Sequence, residues 1–349
     1  MITRPEWRFV KAFRDHFQRC GLVHGEVVCV LSESQSRPEL VDTAYLAAES
    51  LGARAVSVVV PTPPSAHAVP IRSTGASQAI AANPAVIAAL QACDLVLDCT
   101  VEGLLHSPEL GLILRSGTRV LMISNEHLDT FDRIVWDPDM PRRVALGQSW
   151  LDASSVMHVT SDAGTDLTVT LAGAFTAGST GVTHGPGSIA HWPGGLVLAF
   201  PAAETTNGTI VLAEGDVNLT FNRYIERPIS LTIVDDRIVA IEGVGLDVEL
   251  FRSYLGAFDD ADAYATSHVG WGMNAQARWE TLALYDKREL WGTELRAFAG
   301  NFLYSCGANE NAGRFSAGHF DLPMRNCTVR LDDRLVVEHG QLADELRGS

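Results

Sequence analysis

The sequence has no Cys-x-x-Cys pair, no block of basic residues and no uninterrupted apolar run as long as a bilayer span. Each absence excludes something. Without paired cysteines, the six present (Cys20, Cys29, Cys93, Cys99, Cys306, Cys327), mostly in apolar settings such as "VVCVL", read as buried free thiols in a reducing compartment rather than as disulfides or a zinc ribbon. Asp and Glu number 42 against 26 Lys and Arg, a formal charge of −16, so nucleic acid and anionic membrane find no cationic surface to meet. The N-terminal "MITRPEWRFVKAFRDHFQRC" scatters its charges and offers no apolar h-region, which leads to the expectation of a cytoplasmic protein. Neither G-x-G-x-x-G nor a Walker loop follows the first expected strand, so dinucleotide binding is not supported.

What is there is ordinary globular composition, 46% hydrophobic and 19% charged, in 349 residues, enough for two domains with a sizeable core. The first 150 residues alternate strand and helix patterns. "EVVCVLSES" (26–34), "ARAVSVVVP" (53–61), "DLVLDCT" (94–100) and "TRVLMIS" (118–124) are apolar runs of strand length. Between them, 37–52, 83–93 and 106–117 carry helical spacing, the second with Asn83 before Pro84 as a cap. The pattern predicts a Rossmann-like α/β domain over 1–150, with a mostly parallel sheet covered on both faces. From about residue 155 the texture becomes alternating strands joined by Gly- or Asp-rich turns, with hairpin turns at Asp235–Asp236 and Asp332–Asp333 and helices at 246–258 and 275–284. This predicts an α+β domain over 151–349.

Two segments stand out, "SHVGWGMNAQARW" (267–279) and "SAGHFDLPMRN" (316–326). They supply His268, His319 and Asp321, two imidazoles and a carboxylate, the set that holds Fe(II) on one octahedral face and leaves three positions open. His319 and Asp321 are two apart, so in an extended segment both side chains point to one side. Gly270, Gly272, Gly313 and Gly318 surround them, and glycine beside a ligand permits close backbone approach. The pattern alone also fits histidines hydrogen-bonded within a core.

These blocks, together with "RAFAGNFLYSCGANE" (296–310), "GHFDLPMRNCTVRLDD" (318–333), "HWPGGLVLAFP" (191–201) and "LLHSPE" (104–109), resemble the 2,5-dihydroxypyridine 5,6-dioxygenases of bacterial nicotinate and hydroxypyridine breakdown. The match runs in order through both domains. That family is similar in fold to leucyl aminopeptidases of the thermophilic aminopeptidase T type, so the resemblance implies a thermophilic aminopeptidase-like architecture. It further implies a mononuclear non-haem Fe(II) extradiol-type dioxygenase that opens a hydroxylated pyridine ring with both atoms of O2, giving N-formylmaleamate, with His268, His319 and Asp321 as iron ligands. The substrate hydroxyl needs a base, and His106 and His191 are the candidates, histidine being suited to that work near neutral pH. Ser305 matches a pocket serine placed to hydrogen-bond substrate or dioxygen, while Arg296 and Leu105 are the expected substrate contacts. A homo-oligomer is expected from the same likeness.

Each has a plainer alternative: a helix entry for His106, a loop packing contact for His191, a strand-end serine, and an ion pair of Arg296 with Glu294. The competing enzymatic reading is a single-metal hydrolase, against which Leu196 and His268 stand where the peptidases carry glutamates. A scaffold with a structural histidine cluster would bind no iron. The chain departs from the family over "TAGSTGVTHGPGSIA" (176–190), where a pocket glutamate is replaced near Ser179 and His184 has no counterpart. His158, Asp162 and Asp166 read as strand and turn residues. His16, His24, His67, His127 and His339 receive no role.

Overall fold

The computed structural model describes residues 4–65, 67 and 77–348. Strands Val27–Glu33, Arg54–Val60, Leu95–Cys99 and Arg119–Met122 pair in parallel, in the spatial order second, first, third, fourth. Alternation along Val27–Glu33 shows why both faces must be covered. Val28 and Val30 enter one core with Phe13 and Phe17 of helix Trp7–Arg19 and Leu40 and Ala44 of helix Pro38–Ser50. Cys29 and Leu31 enter another with Leu90 of helix Pro84–Gln91 and Ile113 of helix Leu110–Arg115. A parallel sheet buried on both faces has to be built from continuous apolar runs, as these strands are. The Asn83 side chain caps its helix by accepting from the Val86 N–H.

A second sheet is antiparallel and eight-stranded, and includes the hairpin of Ile229–Val234 with Arg237–Gly243 and that of Thr328–Leu331 with Arg334–Glu338. Asp235 and Asp236 turn the first with φ of 46° and 72°, as a tight hairpin turn requires. A third sheet of five antiparallel strands runs in the order Arg314–Met324, Phe302–Asn309, Thr266–Gly272, Leu196–Phe200 and Phe175–Ser179. Its inner face packs on the second sheet in one core containing Val197, Trp271, Tyr304 and Phe320 with Met157, Val169 and Ile210.

Three expectations need correction. The helix expected over 275–284 is only Thr281–Leu284. Before it, local polar bonds take the backbone elsewhere: Asn274 Oδ1 accepts the Gln276 N–H, Glu294 accepts the Arg278 N–H, and the Trp279 indole donates to the Gly215 carbonyl. The helix expected over 106–117 is confined to Leu110–Arg115. The glycines near the candidate ligands serve strand packing and turns: a Cβ on Gly270 would lie 2.0 Å from the Val197 carbonyl oxygen, and Gly313 (φ 73°) ends a short turn with open space around it. The helix Met140–Asp152 spans the division expected near residue 150, and the strand Ile189–His191 returns to the first sheet, parallel to Arg119–Met122. All six cysteines are free and buried. Among the described residues no helix is long and apolar enough to cross a membrane.

The N-terminal helix Trp7–Arg19 has no counterpart among the elements expected from the sequence. Phe9, Val10, Phe13, His16 and Phe17 form its buried stripe, and they close over Trp192 just beyond Ile189–His191. The His16 ring stacks on Trp192 at 4.0 Å between centroids, and its Nε2 lies 2.7 Å from the Gly181 carbonyl oxygen. Burial pushes its pKa down to about 3, against the opposing pull of that carbonyl and helped by Arg19. Unfolded, the ring titrates near its ordinary value, so below about pH 6.5 the unfolded chain takes up a proton that the folded chain refuses. Stability carried by neutral His16 is therefore complete above that pH and is lost as pH falls toward 3. Urea unfolding at pH 7 and pH 5 tests this: His16→Gln should lose about 2 kcal/mol less between the two than the parent chain. Equal losses in both would contradict it.

Candidate metal and substrate site

Alternation along the third sheet puts its chemistry on one face. Phe302, Tyr304 and Cys306 point into the core, as do Phe320 and Leu322, which leaves Leu303 and Ser305, and His319 and Asp321, on the opposite face. Ser305 and Asp321 are register partners, and His268 comes from the neighbouring Thr266–Gly272 at an irregularity in its pairing. This face and the carboxyl ends of the parallel strands enclose a cavity of about 220 Å³. His268, His319, Asp321, His106, His191 and Arg296 all line it.

Asp321 is the centre of the cluster. Its Oδ1 lies 3.2 Å from His319 Nε2 and 3.7 Å from His268 Nε2, and accepts a short hydrogen bond from Ser305 Oγ. Its Oδ2 accepts from Arg296 Nε at 2.6 Å. Burial alone would raise the carboxyl pKa, but the Arg296 guanidinium, with His319 and His268, holds it well below the ordinary carboxylate range. Both imidazoles go the other way. Burial first, opposed by Asp321, holds His268 well below its ordinary value, and burial together with the neighbouring His106 lowers His319. The result is one anion facing two neutral imidazoles, the protonation state in which these groups bind a metal.

The donors fit an ion. Neighbouring ligands on an octahedral centre at roughly 2.1 Å stand about 3 Å apart, close to the separations of Asp321 from the two Nε2 atoms. His106, His268 and His319 also form a buried trio whose ligand atoms lie within 4.8 Å of one another. Among the described residues, His268 Nδ1, His319 Nδ1 and both ring nitrogens of His106 are buried without a hydrogen-bond partner. Unpaired buried polar atoms are costly, and four in one cluster mark a site built for something that binds there.

His106 arrives from the other half of the chain. It follows strand Leu95–Cys99 on a loop fastened by two buried carboxylates. Asp98 accepts the Thr100 and Leu104 N–H groups and the Thr100 hydroxyl, and Glu33 accepts the Val101 N–H. The loop leaves the carboxyl end of a parallel strand, where open α/β sheets keep their sites. The His106 ring stands 4.3 Å from that of His319, its Nδ1 is 3.6 Å from Glu310 Oε1, and Leu105 lines the cavity beside it. His191 closes the strand Ile189–His191, with Nε2 unpartnered. Burial, aided by Arg296 and opposed by Asp321, pushes its pKa down to about 3.

All eight residues singled out in the sequence thus meet at one place, with two of their surroundings revised. Arg296 does not pair with Glu294, which instead meets Arg133. Ser305 is fully buried, and its hydroxyl is given to Asp321. Sequence reasoning missed Trp291, over whose ring the Arg296 guanidinium sits 3.9 Å from the centroid, and Glu310 behind His106. Trp291 lies five positions before Arg296, and Glu310 lies in a 3₁₀ turn. No motif marks either.

A family model described as 2,5-dihydroxypyridine 5,6-dioxygenase matches residues 8–344. A 2,5-dihydroxypyridine 5,6-dioxygenase of Pseudomonas putida is 36% identical over 319 residues, 90% of this chain and 90% of that protein. The solved structure of a 2,5-dihydroxypyridine dioxygenase from Pseudomonas putida KT2440 superposes with a TM-score of 0.91 at 34% identity, covering 97% of this chain and 98% of that one. AmpT from Thermus thermophilus covers 97% of this chain and 99% of its own with a TM-score of 0.64 at 13% identity, a likeness of fold alone.

If Ser305 holds the Asp321 carboxylate in place, Ser305→Ala should weaken divalent-metal affinity, measured by competition with a chelator, roughly ten- to a hundredfold, the usual effect of losing a partner of a ligand. Unchanged affinity in a folded variant would remove Ser305 from the metal site.

Proposed function

The chain belongs to the 2,5-dihydroxypyridine 5,6-dioxygenase family, and from that premise we propose that it opens a 2,5-dihydroxypyridine-type ring with dioxygen in the cavity between its parallel and ligand-bearing sheets. The observation that carries the reading is the buried Asp321 carboxylate facing two neutral imidazoles at 3.2 and 3.7 Å. His268, His319 and Asp321 hold one Fe(II), and His106 stays outside its ligand set. When bound, the Fe(II) supplies the one-electron chemistry that makes dioxygen reactive toward a closed-shell aromatic ring.

The chain's own residues do the rest. His106, reaching into the cavity from the loop held by Asp98, takes the proton of the ring hydroxyl, and Glu310 stands behind its Nδ1. Neutral His191 presents an unpartnered nitrogen that can hydrogen-bond the ring nitrogen or its adjacent oxygen. Arg296, fixed by Asp321, by the Trp291 carbonyl at 2.6 Å and by the Trp291 ring, keeps a positive charge on the side where product negative charge collects. Leu105 and Leu303 wall the ring and exclude water. The product is the substrate plus O2 with the ring bond between positions 5 and 6 broken, an N-formylmaleamate. A single-metal hydrolase gains no support from the cavity, where Leu196 stands in the lining.

A cytoplasmic location belongs to the same proposal, supported by six free thiols. So does a homo-oligomer, supported by the edge strand Arg54–Val60, whose Val56 and Val59 are 44% and 64% exposed. Light scattering that returns a 37.6 kDa monomer would contradict the assembly.

Reconstitution with Fe(II) under anaerobic conditions, then exposure to O2 with 2,5-dihydroxypyridine, should give equimolar oxygen uptake and loss of aromatic absorbance. No uptake with iron bound would overturn the reading. His106→Gln should keep its iron and lose turnover by about 10²- to 10⁴-fold, the range for a general base. If it loses iron as His268→Ala and His319→Ala do, His106 is a ligand instead.

A further inference from the structure

The cavity face of the third sheet is divided. Its polar residues come from the three strands Thr266–Gly272, Phe302–Asn309 and Arg314–Met324. The two remaining strands, Leu196–Phe200 and the edge strand Phe175–Ser179, turn Leu196, Leu198, Phe200, Phe175 and Ala177 to the same cavity. Ser179, the polar residue of that edge strand on this face, is occupied. Its Oγ donates to the His191 carbonyl at 3.2 Å and accepts the His191 N–H at 3.3 Å. The sheet therefore runs from a charged end to an apolar end.

Distance sets what this means for a substrate. From His268 the rings step outward to Phe200 at 5.2 Å and then to Phe175 at 5.9 Å. Two strand spacings, about 10 Å, separate the strand of His268 from the edge strand. A single six-membered ring held at the metal ligands is narrower than that. Held there, it does not span to the edge strand that carries Phe175 and Ala177. Phe175 is 58% exposed and Leu105 38% exposed, so apolar surface continues from the cavity lining out to solvent, beside Glu102.

Resting on the ring-cleaving reading above, we infer that the preferred substrate is a 2,5-dihydroxypyridine carrying an apolar substituent, and that Phe175 and Ala177 select for it. The chemistry of the ring says where. Its nitrogen and two oxygens sit at positions 1, 2 and 5 and position 6 is where the ring opens, so the edge formed by positions 3 and 4 bears only C–H groups and matches the apolar strands. A charged substituent on that edge is rejected, because no side chain of Phe175–Ser179 is free to solvate it.

The test compares kcat/KM of the Fe(II)-loaded enzyme for 2,5-dihydroxypyridine, its 3-ethyl and 4-ethyl derivatives, and the 3-carboxylate. Burying a methylene is worth about fourfold, so the better ethyl compound, with two added carbons, should exceed the parent ring by up to about fifteenfold, and the carboxylate should fall below the parent. Ala177→Leu fills the outer end and should lower the ethyl-to-parent ratio at least several-fold. A parent ring used as well as both ethyl compounds overturns the inference and leaves ring cleavage standing, as does a preference for the carboxylate or a ratio that Ala177→Leu does not move. Turnover of none of the four overturns both.

Discussion

One buried negative charge organises this molecule. Asp321 sits on the outer strand Arg314–Met324 with almost no contact with water, where an unpartnered carboxylate would be expensive. Arg296 holds its Oδ2, while Ser305 donates to its Oδ1, the oxygen that both imidazoles also face. Breaking any one of these contacts leaves a charge or a polar atom stranded, so the ligands are held in place before any ion arrives. The apolar side of the same strands supplies the rigidity. Tyr304, Phe320 and Leu322 alternate with Ser305, His319 and Asp321, and lock the backbone against the eight-stranded sheet.

The second requirement is that the two halves of the chain stay in register, because the cavity belongs to neither alone. His106 comes from the first half and the ligands from the second. The strand Ile189–His191 ties them by adding to the parallel sheet and ending in a residue of the site. Trp192, next along, is gripped by Phe13, His16 and Phe131. The N-terminal helix, though remote from the ligands, thus helps to fix the position of His191.

The parts of this that the sequence made legible are those governed by short-range pattern. The four parallel strands and the two Asp-Asp hairpin turns follow from apolar run length and turn chemistry. His319 and Asp321 were visible as a pair because a two-residue step in a strand shares a face. His268 joined them as the second imidazole of a two-histidine, one-carboxylate set, and the resemblance then added His106 and His191 across more than two hundred residues of sequence. What stayed hidden depends on tertiary partners. The 275–284 segment has a helix-like pattern, but Asn274 and Glu294 take up its backbone N–H groups. Ser305 was placed in the pocket, yet its hydroxyl turns to Asp321 because the register sets the two side by side. Trp291 and Glu310 gain their significance only from the side chains folded against them.

The most direct test is anomalous diffraction at the iron edge from crystals loaded anaerobically with Fe(II). The account predicts a single iron bonded to one ring nitrogen each of His268 and His319 and to an oxygen of Asp321, with His106 in the cavity beyond bonding distance. Iron held by His106, His268 and His319, with Asp321 left to Arg296 alone, would contradict it.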